Sequence, residues 1–423
     1  MSNSARLTRR LGTTDAVAIG LGSMIGAGIF AALAPAAEAA GGALLLGLGI
    51  AAVVAIANAL SSAQLAARYP ASGGSYLYGR EVLGPWWGYL AGWSFVVGKT
   101  ASCAAMALTF AAYAVPPEWQ KPVAAAAVLA LAIVNTLGVT RTALAAKVLV
   151  VGTLAVLALV VAAGFSAAPA PSVELDLAPG SAFGVLQAAG LLFFAFAGYA
   201  RIATMGEEVR DPARIIPRTI IIALATALLV YALVATAALA ALGPEALAGS
   251  REPLADVVAA AGWEAAVPLV RVGAALASLG ALLAMIAGIG RTSLAMARDS
   301  ELPGVLARIH PRFRTPYIAE LGLGLLVAAI VLIADLRGAI AFSSFGVLLY
   351  YVVANLSALR QPAAERRYPR AIAVTGVIGC LGLAATLPLV GVIGGGVVIA
   401  VGLAVRATRL GVTARRSDRL SGQ

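Results

Sequence analysis

Apolar residues run along this chain in long blocks that short polar segments separate. Twelve such blocks lie near residues 14–33, 42–66, 86–114, 122–138, 143–165, 182–205, 216–242, 265–296, 317–335, 338–359, 371–390 and 392–406. A helix needs about 20 residues to cross the hydrocarbon core of a membrane, and most of these blocks reach that length. The pattern therefore predicts an all-α membrane protein with about twelve transmembrane helices, whose last two form a tight hairpin split at Gly391 and Gly394–Gly396.

The composition agrees with this pattern. Residues of the set AVILMFWYC make up 61% of the 423 positions, Gly adds 46 more, and charged residues reach only 12%. A water-soluble fold cannot bury that much apolar surface, so a soluble enzyme, a nucleic-acid-binding module and a disordered regulator are all excluded. The chain has only two cysteines, Cys103 and Cys380, which form no CxxC pair, and a single histidine, His310. We therefore expect no cofactor, no metal site and no enzymatic activity.

Basic residues are concentrated in alternate connections between the blocks. If the N-terminus is cytoplasmic, the inner segments hold 23 Lys and Arg residues, and the outer ones hold only Lys121, Arg251 and Arg337. Because cytoplasmic loops of membrane proteins carry an excess of positive charge, both termini are predicted to be cytoplasmic. The expected location is the plasma membrane, as in a bacterial inner membrane.

Two blocks carry signs of a broken helix. The first contains Gly20, Gly22, Gly26 and Gly28 within nine residues, and glycine weakens a helix relative to alanine. Such glycines also let membrane helices pack closely, so this cluster alone is ambiguous. The sixth block, around Phe193–Arg201, has a single glycine, Gly198, and is the weaker signal.

The two interrupted blocks begin two groups of five that cross the membrane in opposite directions. Paired interruptions of this kind point to an inverted-repeat transporter with its site at the midplane. A half-helix beginning near Ala27–Gly28 would present free N–H groups to a carboxylate. Half-helices ending near Gly22–Met24 and near Phe196 would present free carbonyls to an ammonium. The two groups together describe an α-amino acid.

Several motifs resemble those of the amino acid–polyamine–organocation superfamily of transporters. Residues 22–30 read GSMIGAGIF, residues 70–78 read PASGGSYLY, residues 194–199 read FAFAGY, residues 207–212 read EEVRDP, residues 216–218 read IPR, and residues 298–303 read RDSELP. They occur in the order found in that family and span residues 13 to 316. The resemblance implies secondary transport of amino acids or related amines.

The same resemblance implies a five-plus-five inverted repeat with discontinuous helices 1 and 6. Its first repeat would cover residues 13–166 and its second 182–359, followed by two extra helices at 370–406 and a cytoplasmic tail at 407–423. Ser23, Gly26 and Gly28 would bind the substrate backbone, and Phe194 would close the site from outside. The full set of residues expected at the substrate is Ser23, Met24, Ile25, Gly26, Ala27, Gly28, Phe194, Ala195, Phe196, Ala197, Gly198 and Arg201.

Two departures from the family pattern leave the coupling ion open. An acidic or amide residue often stands two places after the motif glycine, but this chain has Ala200 there, with Arg201 next. Many sodium-independent members have a lysine midway along the fifth helix, near Thr153 here, whereas Lys147 comes about two turns too early. Coupling to a proton and exchange of substrates both remain open, as does the oligomeric state.

Intramembrane charges are functional candidates, because a cation in lipid is costly. Lys99 could bond carbonyls of the broken first helix in place of sodium, carry a proton, or line the pore without a specific role. Arg201 could touch a substrate acid or pair with Glu207 or Glu208 at an inner gate. Phe194, Lys99, Glu207 and Glu208 are thus the expected gating or coupling residues.

No acidic residue lies deep in any block, since Asp15, Glu207, Glu208 and Glu320 all stand near block ends. The central cavity should therefore be neutral to positive. We expect a secondary active transporter that moves a neutral or acidic amino acid, rather than a cationic one, by alternating access across the lipid bilayer. The alternatives are transport of another small amine or carboxylate, and a non-transporting receptor or channel on the same fold.

Overall fold

The computed structural model describes residues 11–70, 73–138, 142–168, 182–203, 205–206 and 208–421. The predicted Glu207 falls outside these residues. Within them the protein is helical, and its first eight helices are α1 Thr13–Ile25, α2 Gly28–Ala40, α3 Leu44–Arg68, α4 Ser75–Val82, α5 Pro85–Ala114, α6 Gln120–Thr136, α7 Thr142–Ser166 and α8 Ala182–Phe196. They are followed by α9 Ala200–Ala203, α10 Pro212–Gly249, α11 Pro253–Ala260, α12 Val267–Arg298, α13 Tyr317–Ile333, α14 Leu336–Arg360, α15 Arg370–Thr386 and α16 Leu389–Ser421.

Long apolar helices dominate the described part of the chain. Eight helical segments there are long and apolar enough to cross a membrane, and the shorter α13 and α15 are apolar as well. The first of the eight runs over Thr13–Arg68, so the two first predicted blocks are joined through a 3₁₀ turn at Gly41–Ala43. The prediction of an all-α protein that passes the membrane several times agrees with this architecture.

Small residues bring the central helices close together. α5 packs along α14 and α12, and α3 packs along α10 and α8. At the crossing of α5 and α14, a Cβ on Gly98 would lie 3.1 Å from the Cα of Gly346. This close backbone approach is typical of membrane helix packing, and it places Lys99, the next residue of α5, in the centre of the bundle.

The first predicted interruption is present, but it is shorter than expected. α1 ends at Ile25 and α2 begins at Gly28, so only Gly26 and Ala27 lie between them. Both keep φ and ψ angles in the right-handed helical region, at −50° and −76° for Gly26 and −104° and −22° for Ala27. The backbone therefore changes direction without unwinding into an extended segment.

The sixth block tightens instead of unwinding. α8 ends at Phe196, a 3₁₀ turn covers Ala197–Tyr199, and α9 resumes at Ala200. A 3₁₀ segment inside an α-helix shifts the hydrogen bonds by one residue and often marks a hinge. Our expectation of a fully broken sixth helix is thus replaced by a local change of helix type.

The C-terminal hairpin turns at a different place from the predicted one. α15 ends at Thr386 and α16 begins at Leu389, whereas Gly391 and Gly394–Gly396 lie inside α16. Pro388 explains the difference, because proline cannot continue a helix but is well tolerated just before or at the start of one. α16 also continues to Ser421, through most of the segment expected as a tail after residue 406.

Candidate functional site

The two interrupted segments lie against each other in the interior of the protein. A Cβ on Gly198 would overlap the carbonyl oxygen of Ser23 and would lie 2.5 Å from the nitrogen of Met24. A Cβ on Gly28 would lie 2.5 Å from the Cα of Ala195. The contacts are therefore made backbone to backbone, and glycine is required at both positions because no larger residue fits without displacing the partner segment.

The first interruption also contacts α12. A Cβ on Gly26 would overlap the methyl group of Ala281 and would lie 3.0 Å from the carbonyl oxygen of Ala277. Ser23, one turn earlier, donates its hydroxyl to the carbonyl of Ile19 within α1 at 2.9 Å. The Ser23 hydroxyl is thus bonded within its own helix, and the backbone of this segment makes the contacts with the neighbouring helices.

A tyrosine on α10 joins the two segments. The Tyr231 hydroxyl lies 2.7 Å from the carbonyl oxygen of Met24 and 3.0 Å from that of Ala195, and the ring packs on Phe196 with centroids 5.0 Å apart. One hydroxyl has one proton, so it donates to one of these carbonyls at a time. Both are carbonyls from the ends of helices, where the helical donor is missing.

Tyr231 was not among the residues that the sequence singled out. Its signal was a tyrosine in the middle of a long apolar block, since a buried tyrosine hydroxyl usually finds a hydrogen-bond partner. The sequence could not identify that partner, because Met24 and Ala195 are brought to α10 only by the tertiary structure.

Lys99 donates to the sixth block rather than to the first. Its Nζ lies 3.0 Å from the carbonyl oxygen of Ala197, and the residue is only 2% exposed. One of the predictions for Lys99 was a bond to carbonyls of the first helix. The structure shows that it bonds a backbone carbonyl, but one in the sixth block. The carbonyl of Ala197 is available because it lies where α8 gives way to the 3₁₀ turn, at a negative helix end that attracts a cation.

All the residues predicted at the substrate, apart from Arg201, belong to these two segments. The structure buries every one of them and brings them together, namely Ser23, Met24, Ile25, Gly26, Ala27, Gly28, Phe194, Ala195, Phe196, Ala197 and Gly198. The first turn of α2 leaves N–H groups without helical acceptors, and the ends of α1 and α8 leave carbonyls without helical donors. Complementary donors and acceptors thus meet within one small region.

Arg201 lies one turn beyond this region and contributes to a cluster of ions. Its guanidinium is 3.5 Å from the Glu208 carboxylate, which also contacts Arg291 of α12. Burial by itself would raise the pKa of Glu208, but the two guanidinium groups outweigh it and hold the pKa of this carboxyl below its usual range. The geometry favours the inner-gate interpretation of Arg201 over contact with a substrate acid.

The start of the described chain closes the same end of the bundle. Leu11 pairs with the segment before α10: its N–H donates to the carbonyl of Glu208 at 3.0 Å, and its own carbonyl accepts from Arg210 at 3.1 Å. Lys147 of α7 forms a salt bridge with Asp15 of α1 at 2.6 Å. Lys147 therefore holds α7 to the first turn of α1.

A comparison with known proteins shows the family to which the chain belongs. The sequence profile described as "Amino acid permease" matches residues 11–408. An uncharacterized transporter of Mycobacterium tuberculosis is 57% identical over 98% of this chain and 94% of its own length. The branched-chain amino acid permease BcaP of Bacillus subtilis is 27% identical over 90% of this chain and 87% of its own. Human cationic amino acid transporter 4 is 31% identical over 82% of this chain and 58% of its own.

Proposed function

The chain belongs to the amino acid permease family, and from this we propose that it moves a neutral or acidic amino acid across the membrane by alternating access. It is an amino acid transporter and not an enzyme, as the permease family and the transporter-named relatives indicate. The observation that carries the proposal is the contact between the two interrupted segments, where Gly28 at the start of α2 lies against Ala195 and the carbonyls of Met24 and Ala195 both face the Tyr231 hydroxyl.

We assign twelve spans to this transporter, with a five-plus-five inverted repeat and both termini in the cytoplasm. The first repeat takes residues 13–166, the second takes 182–359, and α15 and α16 are the two additional spans. The position of an interruption at the first helix of each half supports this division. The excess of basic residues in the inner connections supports the orientation, and bacterial relatives of similar length support a plasma-membrane location.

Binding would follow the polarity of the helix ends. The substrate carboxylate would accept from the first turn of α2 at Gly28, where the helix dipole is positive. The ammonium would take the carbonyls of Met24 and Ala195, which the Tyr231 hydroxyl now occupies. An ammonium group can therefore bind these carbonyls only if the Tyr231 hydroxyl moves away from at least one of them. Phe194, buried beside Ala195, is the residue we assign to closing the site from outside.

The buried charges favour a neutral or acidic side chain on the substrate. Lys99 is only 2% exposed and forms no salt bridge in the described part of the chain, whereas Arg201 is already paired with Glu208. A cationic side chain close to Lys99 would therefore be repelled. The names of two relatives point to different substrate classes, branched-chain and cationic amino acids, so arginine belongs in the first test.

The first experiment is uptake by proteoliposomes with an imposed proton gradient. Radiolabelled leucine or glutamate should accumulate with saturable kinetics, and a large excess of unlabelled arginine should leave the rate unchanged. Liposomes without protein provide the background. Saturable uptake of arginine would contradict the substrate class, whereas entry that never saturates and never exceeds the outside concentration would indicate a channel. Dependence on the gradient separates proton coupling from exchange, which needs substrate on both sides.

A further inference from the structure

A carboxyl group that the sequence placed at the edge of a block is buried in the structure. Glu320 lies in the first turn of α13, is only 3% exposed, and has an Oε2 atom with no hydrogen-bond partner. Its side chain lies on α12: a Cβ on Gly290 would be 2.9 Å from the Cγ of Glu320. Glu320 thus lies near the start of its helix, as its place in the sequence indicated, but α12 covers it.

One charged group that acts on Glu320 is an arginine that already pairs with Glu208. Arg291 follows Gly290 on α12, and its charge acts on Glu320. The other helices packed against α13 carry charged groups that have partners elsewhere. Lys99 of α5 donates to a carbonyl of the sixth block, and Lys121 of α6 donates to the carbonyl of Leu332 at the far end of α13. The preceding loop brings His310, whose ring contacts Tyr317.

The same arginine is thus shared between two carboxyl groups in unequal positions. Glu208 has two guanidinium partners, Arg201 and Arg291, whereas Oε2 of Glu320 has no donor. A buried carboxylate without a donor is penalised by several kcal/mol on general grounds, so Glu320 is more stable here as the neutral acid. If the contact between Glu208 and Arg291 opens, the freed guanidinium becomes the natural partner of an ionised Glu320.

We propose that Glu320 binds a proton next to the inner gate, the cluster formed by Arg201, Glu208 and Arg291. When this gate opens, Glu320 releases the proton and pairs with Arg291. This inference rests on the proposed function. In the closed arrangement Glu320 is neutral and Arg291 pairs with Glu208. On opening, the O–H bond of Glu320 breaks, the proton passes to cytoplasmic water, and the carboxylate pairs with Arg291. Closing reverses both changes, so the proton returns from the cytoplasmic side and none crosses the membrane in this step.

A change of pH at the cytoplasmic face tests the proposal. Acid there keeps Glu320 neutral and holds the gate closed, so wild-type uptake should fall as internal pH falls, by up to about tenfold per pH unit where opening limits the rate. In Glu320→Gln the side chain is permanently neutral, and uptake should be slow and independent of internal pH. Glu365→Gln is the matched control, because Glu365 forms a surface salt bridge with Arg68 at 2.9 Å, away from this cluster. This control should keep the wild-type pH profile.

A second measurement does not require transport. Infrared difference spectra of the purified protein between low and high pH should contain a protonated-carboxyl band that Glu320→Gln lacks and Glu365→Gln retains. Identical spectra for wild type and Glu320→Gln, or an unchanged internal-pH profile in that variant, would overturn the proposal. Absence of amino acid uptake by the wild type would count against the proposed function, while the infrared band would still decide whether Glu320 binds a proton.

Discussion

Replacing Lys99 with methionine is expected to remove most of the transport activity while leaving the protein folded. The substitution deletes the ammonium that donates to the buried carbonyl of Ala197, in the segment where α8 gives way to the 3₁₀ turn. A hydrogen bond from a charged group contributes about 1.5–3 kcal/mol, which corresponds to a shift of roughly 10- to 150-fold between two conformations. Initial rates of uptake in proteoliposomes measure the effect.

Thermal stability separates this effect from unfolding. Burying an ammonium is itself costly, so its removal offsets the lost hydrogen bond, and the Tm of Lys99→Met should stay close to that of the wild type. Thr100→Val is the control, because the Thr100 hydroxyl bonds only the carbonyl of Val96 in its own helix, at 2.7 Å. Normal uptake by Lys99→Met would show that the ammonium has no part in transport, and equal loss in Thr100→Val would assign the effect to α5 as a whole.

Adding one methyl group at Gly198 is expected to abolish transport and lower stability. The Cβ of Gly198→Ala would overlap the carbonyl of Ser23, so the first and sixth blocks would have to move apart. Overpacking of a well-packed interior costs about 1–3 kcal/mol, and here it acts on the contact that we assign to the substrate. Uptake and Tm should both fall.

The matched control is the same substitution at a glycine with free space. A Cβ on Gly152, inside α7, would meet no atom within 4 Å, so Gly152→Ala should keep full activity. Alanine is preferred to glycine in a helix by up to about 1 kcal/mol, so its Tm should be equal or higher. Full activity of Gly198→Ala would mean that the two segments do not need to touch during the transport cycle.

The sequence predicted the features that depend on local chemistry. The hydrophobic blocks located the long helices, and the glycines of residues 20–28 predicted an interruption between Gly22–Met24 and Ala27–Gly28, within which the structure has a shorter one at Gly26–Ala27. These successes have a common reason: helix length and helix breaking are decided within a few residues of chain. Where two local signals competed, the prediction was wrong, as at the C-terminal hairpin, where Pro388 rather than the glycines sets the turn.

The features that depend on packing could not be obtained in this way. The Tyr231 hydroxyl faces the carbonyls of Met24 and Ala195, which are 207 and 36 positions away along the chain, and Lys99 donates to Ala197, which is 98 positions away. Such partners follow from the order in which helices pack, which a single sequence does not specify. Glu320 shows the same limit, because its position near the start of a block does not reveal that α12 covers it.

The central claim is that the interrupted segments recognise both ends of an α-amino acid, and competition binding tests it most directly. The purified protein would be equilibrated with the radiolabelled amino acid that liposomes accumulate fastest. Two analogues would then compete, one an amine with the same side chain but no carboxylate, the other a carboxylic acid with the same side chain but no ammonium. We predict that the unlabelled amino acid displaces the label and that neither analogue does so at comparable concentrations. If either analogue displaced the radiolabelled amino acid as effectively as the unlabelled amino acid does, the account would be contradicted.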